Sequence, residues 1–575
     1  MIHTLIYWIY ILLVAGIAFI PGFAIAMLIK KLDITEQLAI SFGFSFLIVV
    51  LLTPLFAAHL DMVARALFLV IFIASIVYIV KQKQNVELNH DFIFLTLILV
   101  ISFVSKFFIQ TLWEYPVIGG DWYGHTLIRP YMFNIGDWTP PQERTPLFNL
   151  LIYSYHHLLG TSLYQYWISQ IISVVANSVF ILPAFVLAKK VFGEKVAKIS
   201  AAFMIITPFL VQQAIYTWPK NMAMYFSLLM IYFLFFRGNS ENNTMNYGFA
   251  GFFGAVGFLT HNYVLFYIFT ALIAFVYVIK LYNYKQLWTI LHELLKTKFI
   301  CFFVALIVVT IPYFLWVYSF YGTISTSRLF IYYPFAVEGY WNIGSSQEVF
   351  ETFFNTPIQH IIGIRIFNAV VTLTPAALPI NPVATHFRTY NPIYYYSHDY
   401  PGALSTLMYV LVLLWFLKYL IGKTKTDKVL VIFVVIPFIL FWIWCGWLDW
   451  GLLTQGLHPT IPILIMLGFN ELYKFKAQRI RSILIYSVFV GCLIEDLIYG
   501  ILTLKFYQLG GGLYMVAEGI QRYIPDFQIS EFVSARFLLT GPDLLLNSII
   551  SVAIIITTLC YYRFSRSGKH NCTVC

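Results

Sequence analysis

The sequence predicts an all-α polytopic membrane protein with about 15 transmembrane helices, and three observations lead there. The 575-residue chain is 60% hydrophobic and only 10% charged, with mean hydropathy +0.81, far from the composition of soluble domains. Its apolar runs recur at about 20 residues, the length of a helix across a bilayer; a spanning strand would be about half as long and would alternate in polarity, which excludes a barrel. The charges gather between the runs rather than within them.

Fifteen runs meet this description, near 5–29, 37–58, 63–80, 91–112, 164–188, 199–216, 221–236, 247–260, 263–279, 299–320, 402–420, 429–446, 455–473, 482–503 and 544–562. The formal net charge of +10 raises the question of a nucleic-acid partner, and the placement of the charges answers it. With the N-terminus outside, Lys30/Lys31, Lys81/Lys83, Lys189/Lys190/Lys195/Lys198, Lys423/Lys425/Lys428, Lys474/Lys476/Arg479/Arg481 and Arg563/Arg566/Lys569 all fall on the cytoplasmic side. Most acids fall outside. This is the positive-inside pattern of a plasma-membrane protein, so no nucleic acid is expected. The same rule splits the short runs around Thr260-His261-Asn262 into a hairpin, because fusing them would invert every later basic cluster. The first run lacks a basic n-region and a cleavage site, so it reads as a retained span. Cys572 and Cys575 read as reduced thiols.

The chain is expected to divide into a three-span N-terminal module (1–85), a transmembrane core (86–480) and C-terminal spans with an outer segment and a short basic cytoplasmic tail (481–575). Inner links are short and basic. The long segments, 113–163, 321–401 and 504–543, are expected outside, where loops have room to build a site. In GFAGFFGAVG, Gly248, Gly251, Gly254 and Gly257 fall three apart and read as a close-packing helix face. Pro183, Pro208 and Pro312 are expected to break their spans locally.

Residues 119–138 read GGDWYGHTLIRPYMFNIGDW. Asp121, His125 and Arg129 follow one another at four-residue spacing and share a helix face. Capping, interfacial anchoring and snorkelling explain the three by themselves. Asp137, Glu143, Arg144 and the phrase RTPLFNLLIYSYHHLLG, which follow before the next span, add chemistry those roles do not need.

An acidic residue in a long outer loop, then a Pro-Leu aromatic stretch and a helix ending in LLG, resembles the GT-C membrane glycosyltransferases: protein O-mannosyltransferases, the aminoarabinose transferase of lipid A and the catalytic subunit of oligosaccharyltransferase. The likeness covers roughly spans four to thirteen and implies a GT-C-like core with extracytoplasmic loops and interfacial helices. DWYGH is similar to the archaeal D-x-x-Y-H type with its tyrosine one residue out of register, so Asp121 alone carries over as the catalytic position. Four spans precede the acidic loop where the superfamily has one. A large soluble C-terminal domain and a WWD-type motif are missing, which favours transfer of single sugars.

The resemblance implies a polyprenyl-phosphate-linked sugar as donor, a glycan, lipid or protein as acceptor, and inversion at the sugar. A carboxylate can take the acceptor proton while cations stabilise the departing phosphate. Asp121 suits the base; Arg129, Arg144 and Lys220 suit the phosphate, and Lys220 equally suits a snorkelling lysine. His125, Asp137, Glu143, His261, Asp449 and His458 are further candidates for substrate contact, although a lone interfacial histidine is more often structural and Asp449 and His458 equally fit a solvated turn. A divalent cation, Mg or Mn, would fall to Asp121 and Asp137. The adjacent Glu495-Asp496 reads as a span end, and TYNPIYYYSHDYPG as an interfacial aromatic run. The rival readings are a lipid-linked glycan flippase or transporter, which predicts inverted repeats that the sequence does not show, and a glycan polymerase or ligase, which shares the donor.

Overall fold

The computed structural model describes residues 2–29, 31–82, 89–112, 124–141, 145–215, 217–237, 243–278, 288, 299–323, 332–337, 346–373, 406–421, 428–446, 452–508, 525–528, 530–531, 538–539 and 542–567. Among the described residues every regular element is helical. Each of the fifteen apolar runs contains a helix, but among the described residues seven helices are long and apolar enough to cross a membrane, or eight if one bent pair counts as a span. Six more are apolar and shorter, Lys220–Phe236 and Thr460–Tyr473 among them. The protein is therefore an integral membrane protein.

The chain starts with α1 (Ile2–Leu28), α2 (Ile34–Leu51), the short α3 (Thr53–Ala57), α4 (Asp61–Gln82) and α5 (His90–Leu112). Local chemistry sets the starts. Asp33 accepts from Glu36 N at 2.8 Å while Glu36 returns a carboxylate oxygen to Asp33 N at 2.9 Å, a reciprocal cap that satisfies two orphan amides of α2. Asn89 does the same for α5 through Phe92 N at 2.8 Å. A π-helical turn, Gly124–Ile128, leads into α6 (Arg129–Asn134), followed by α7 (Leu147–Leu159). The LLG phrase ends α7 as expected: Gly160 takes φ +69°, and its amide and that of Thr161 close on His157 O and His156 O.

Next come α8 (Tyr166–Ser178) and α9 (Ile181–Phe192), then α10 (Glu194–Ile206) and α11 (Pro208–Ile215), which meet at a 58° bend. The bend falls at Pro208, as expected, because its ring cannot continue the ladder. Pro183 likewise sits just after the joint between α8 and α9. Pro312, by contrast, lies inside the unbroken α15 (Ile300–Tyr321), so its expected break is corrected. Before it stand α12 (Lys220–Ile231), α13 (Asn243–Thr260) and α14 (Val264–Val278), and the turn from α13 to α14 is the hairpin inferred at Thr260-His261-Asn262. The rest are α16 (Ser346–Asn355), α17 (Ile358–Leu373), α18 (Thr406–Leu420), α19 (Lys428–Trp444), α20 (Leu452–Gly456), α21 (Thr460–Tyr473), α22 (Gln478–Gln508) and α23 (Pro542–Ser567). The helix α22 runs through Glu495-Asp496 rather than ending there.

One continuous hydrophobic core joins α1 and α2 to the helices that follow. Tyr7 packs on Trp167 with ring centroids 6.1 Å apart, and Phe42 meets Tyr225 edge-on at 5.3 Å. Tyr225 donates to Ala39 O at 2.7 Å and accepts from Gly43 N at 3.1 Å. At the other end of the chain, α23 packs on α5 and α1, and Thr4 donates to Asp543 Oδ1 at 2.9 Å.

Alternation of the helices sorts the polar groups into two ends. One end carries ion pairs: Asp91 with Lys189 at 2.8 Å and Lys198 at 2.9 Å, Glu36 with Arg237 at 3.0 Å, and Glu471 with Lys418 at 3.3 Å. The opposite end carries the π-helical turn before α6, the turn before α12, the α13–α14 hairpin and the turn before α21. That end positions the candidate site.

Candidate functional site

The site is built around the start of α12. Thr217, a non-glycine residue at φ +57°, turns the chain into Trp218-Pro219-Lys220, and this backbone region is strained for a β-branched residue. Hydroxyl contacts hold the turn in place: Thr217 Oγ1 lies 3.1 Å from Tyr166 OH, which lies 3.2 Å from Thr126 Oγ1. Asn177 Oδ1 accepts from Met222 N at 3.0 Å, and Asn221 donates to Leu210 O at 3.1 Å.

Lys220 is the first residue of α12 and is only 6% exposed. Its ammonium sits over the Trp218 ring, 3.8 Å from the centroid, a cation–π contact. A buried ammonium at the positive end of a helix dipole raises the local potential twice over, so this position suits an anion.

Three of the expected residues, remote in sequence, come together here. Tyr263 donates to Lys220 O at 2.7 Å. The same tyrosine stacks on His458 with centroids 5.6 Å apart and planes 14° apart, and meets His261 at 5.0 Å. His458 is buried, and its Nε2 donates to Gln213 Oε1 at 3.2 Å. Lys220, His261 and His458 thus form one cluster tied by Tyr263.

His125 is buried in the π-helical turn, where Nδ1 donates to Asn149 Oδ1 at 3.2 Å. Its neighbour Thr126 reaches the Lys220 turn through Tyr166. Arg129 is half-buried at the start of α6, with Met132 Sδ 3.5 Å from its guanidinium. The carboxylate of Asp137 accepts from Thr139 N at 3.0 Å and from Thr139 Oγ1 at 2.6 Å, an Asx turn. Asp121, Glu143, Arg144 and Asp449 lie outside the described residues, as does the aromatic run TYNPIYYYSHDYPG. Among the described residues, no group of three or more His, Cys, Asp or Glu side chains is placed to hold a metal ion.

The sequence reading missed Lys106, which is fully buried in α5 with Nζ 2.5 Å from Ser102 Oγ. The signal was present: a lysine inside the apolar run FVSKFFIQ is costly unless it faces the bundle interior. Asn149, Gln213 and His156 gave no such signal, because their roles depend on partners from other helices.

Residues 143–316 match the model of the dolichyl-phosphate-mannose-protein mannosyltransferase family. No well-characterised protein matches the chain in sequence. Among solved structures the chain is similar to ArnT from Cupriavidus metallidurans in the apo state, with 15% identity over 82% of this chain and 76% of that one and a TM-score of 0.38. It is similar to the archaeal oligosaccharyltransferase AglB from Archaeoglobus fulgidus in complex with an inhibitory peptide and a dolichol-phosphate, with 13% identity over 78% and 60% and a TM-score of 0.41. ArnT bound to undecaprenyl phosphate gives 14% identity over 80% and 88% and a TM-score of 0.36. Overlaps this loose carry nothing further. The family match does, since it runs from the end of the first polar segment through α15 and contains both Lys220 and His261. Over residues 143–316 the chain carries the sequence pattern of the dolichyl-phosphate-mannose-protein mannosyltransferase family.

Proposed function

We propose that the protein moves a sugar from a polyprenyl-phosphate-linked donor to a glycan, lipid or protein acceptor on the extracytoplasmic face of the plasma membrane. One observation carries this reading: a buried lysine at a helix start, Lys220, clustered with His261 and His458, falls within a segment matching a dolichyl-phosphate-mannose transferase family. The basic ends of the helices sit at the opposite end of the bundle, which supports an outward-facing site.

In this mechanism the Asp121 carboxylate takes the proton of an acceptor hydroxyl or amide, and the acceptor atom forms a bond to the sugar C1. The bond from C1 to the phosphate oxygen breaks with inversion, and its electron pair leaves on the phosphate. Lys220 stabilises that charge, with Arg129 and Arg144 as further cations. If a divalent ion takes part, Asp121 and Asp137 would hold it.

Asp121→Asn keeps side-chain size and most capping ability but cannot accept a proton. It is expected to leave thermal stability unchanged while cutting sugar transfer by the purified enzyme about 100-fold or more. Lys220→Met keeps the volume and loses the charge, and is expected to raise the KM for the donor about 10-fold or more, the scale of one charge-assisted phosphate contact. Full transfer by Asp121→Asn would move the base to another residue, Glu143 or Asp449 first. A glycan mass profile unchanged by loss of the gene would refute glycosyl transfer altogether, whereas loss of a whole glycan rather than one sugar would indicate the transporter.

A further inference from the structure

At the same end as the Lys220 cluster, a cavity of about 290 Å³ opens between α4 and the segment from α6 to α8. Its wall includes Asp61, Arg65, Tyr131, Asn134, His157 and Tyr164. None of the residues assigned above to base or donor contact lines it. We propose that it is a carbohydrate-binding subsite that seats one neutral sugar ring of the acceptor, so that the acceptor is a glycan; this rests on the glycosyl-transfer reading.

Charge decides the ligand class. The Arg65 guanidinium lies 3.8 Å from Asp61 Oδ2, so the two formal charges in the wall offset each other and favour neither a phosphate nor an ammonium. What remains is a set of planar polar groups. A carboxylate, a guanidinium and a carboxamide each present paired acceptors or donors in one plane, a match for two neighbouring hydroxyls on a sugar ring. The groups are held in advance of any ligand. His157 bridges Asp61 Oδ2 at 2.9 Å and Asn134 Oδ1 at 3.2 Å, and Arg65 Nε donates to His157 O at 2.8 Å. The rings of Tyr131 and Tyr164, with centroids 6.0 Å apart and planes tilted by 57°, supply the apolar faces on which the C–H side of a sugar can rest. The volume is close to the ~300 Å³ lower bound of ligand pockets, enough for one ring.

The cavity is also connected to the site. His156, beside His157, lies 2.8 Å from Ser169 Oγ, and Ser169 donates to Thr126 O at 3.3 Å. Thr126 in turn leads through Tyr166 to the turn before Lys220. Asp61 and Arg65 both come from α4, which precedes the GT-C-like part, so this helix contributes one wall of a selectivity pocket.

The test uses the whole chain in lipid nanodiscs, free of glycoside detergents that would compete. Saturation-transfer NMR with methyl α-mannoside and methyl β-glucoside is expected to show saturable binding of at least one. Asp61→Asn and Tyr164→Ala, confirmed as folded by thermal melting, are each expected to weaken it at least 10-fold, and inorganic phosphate is expected not to displace it. Absence of saturable binding, equal binding by folded variants, or displacement by phosphate would each overturn the subsite. Binding is read without donor, so the two readings fail separately. A chain that binds glycosides but turns over no polyprenyl-linked donor refutes only the transfer; one that transfers sugar but binds no glycoside refutes only the subsite.

Discussion

His156 shows what burial does to a single side chain. It is fully enclosed at the end of α7, with Nδ1 2.9 Å from Thr161 Oγ1 and Nε2 2.8 Å from Ser169 Oγ. Because Ser169 donates onward to Thr126 O, the histidine donates from Nε2 and accepts at Nδ1, the neutral form. Burial, with the neighbouring His157 second, pushes its pKa down to about 3 from an ordinary value near 6.5. Between those two values the unfolded chain binds a proton that the folded one refuses, so stability falls on acidification by about 1.4 kcal/mol per pH unit from this group. Melting of the purified protein is expected to drop between pH 7 and pH 5, and His156→Gln, which can keep both hydrogen bonds, is expected to flatten that slope. An equal drop in both proteins would assign the acid sensitivity elsewhere. The sequence marked Lys220, His261 and His458 because ionisable residues at the edges of apolar runs stand out. It could not mark Gln213 or Asn149. Their importance lies in partners from other parts of the chain, His458 and His125, and no local pattern encodes those.

At the scale of elements, hydropathy placed a helix in each apolar run but not α6, α16 or α17, which lie in segments read as outer loops, nor how far each helix extends. Apolarity fixes where a helix lies in a membrane, whereas caps, bends and π turns fix where it stops, as at the 58° bend between α10 and α11. Helices surrounded by other helices, such as α12 and α21, also need not match the bilayer with their own length. The glycine face of α13 was legible and is largely confirmed. A methyl on Gly251 would lie 2.1 Å from Phe302 O in α15, and on Gly254 2.9 Å from Met230 Sδ, while Gly248 has nothing within 4 Å. Gly251→Ala is therefore expected to destabilise by about 1–3 kcal/mol through overpacking against backbone. Gly248→Ala should be neutral or gain up to about 1 kcal/mol in helix propensity. Thermal unfolding of the two variants side by side checks this, and equal behaviour would remove the α13–α15 contact from the account.

At the scale of the molecule, the Asp91, Glu36 and Glu471 ion pairs lie at the end away from the histidine cluster, and the side of the membrane which that cluster faces has a direct test. Gln142→Cys, in the segment between α6 and α7, is expected to react with a membrane-impermeant maleimide on intact cells. Protection there would turn the bundle over and remove the extracytoplasmic donor from the proposal. The contact between the two termini bears on how the chain is made. A ribosome delivers α1 and α5 long before α23, yet Thr4 bonds to Asp543 and α23 covers a face of α5. Until α23 is made, that face of α5 meets lipid or a membrane insertase in place of its final neighbour. Packing around α5 is thus completed only after α23 has been made, and a chain stopped before α23 would present the cell with an unsealed face that quality-control proteases can recognise.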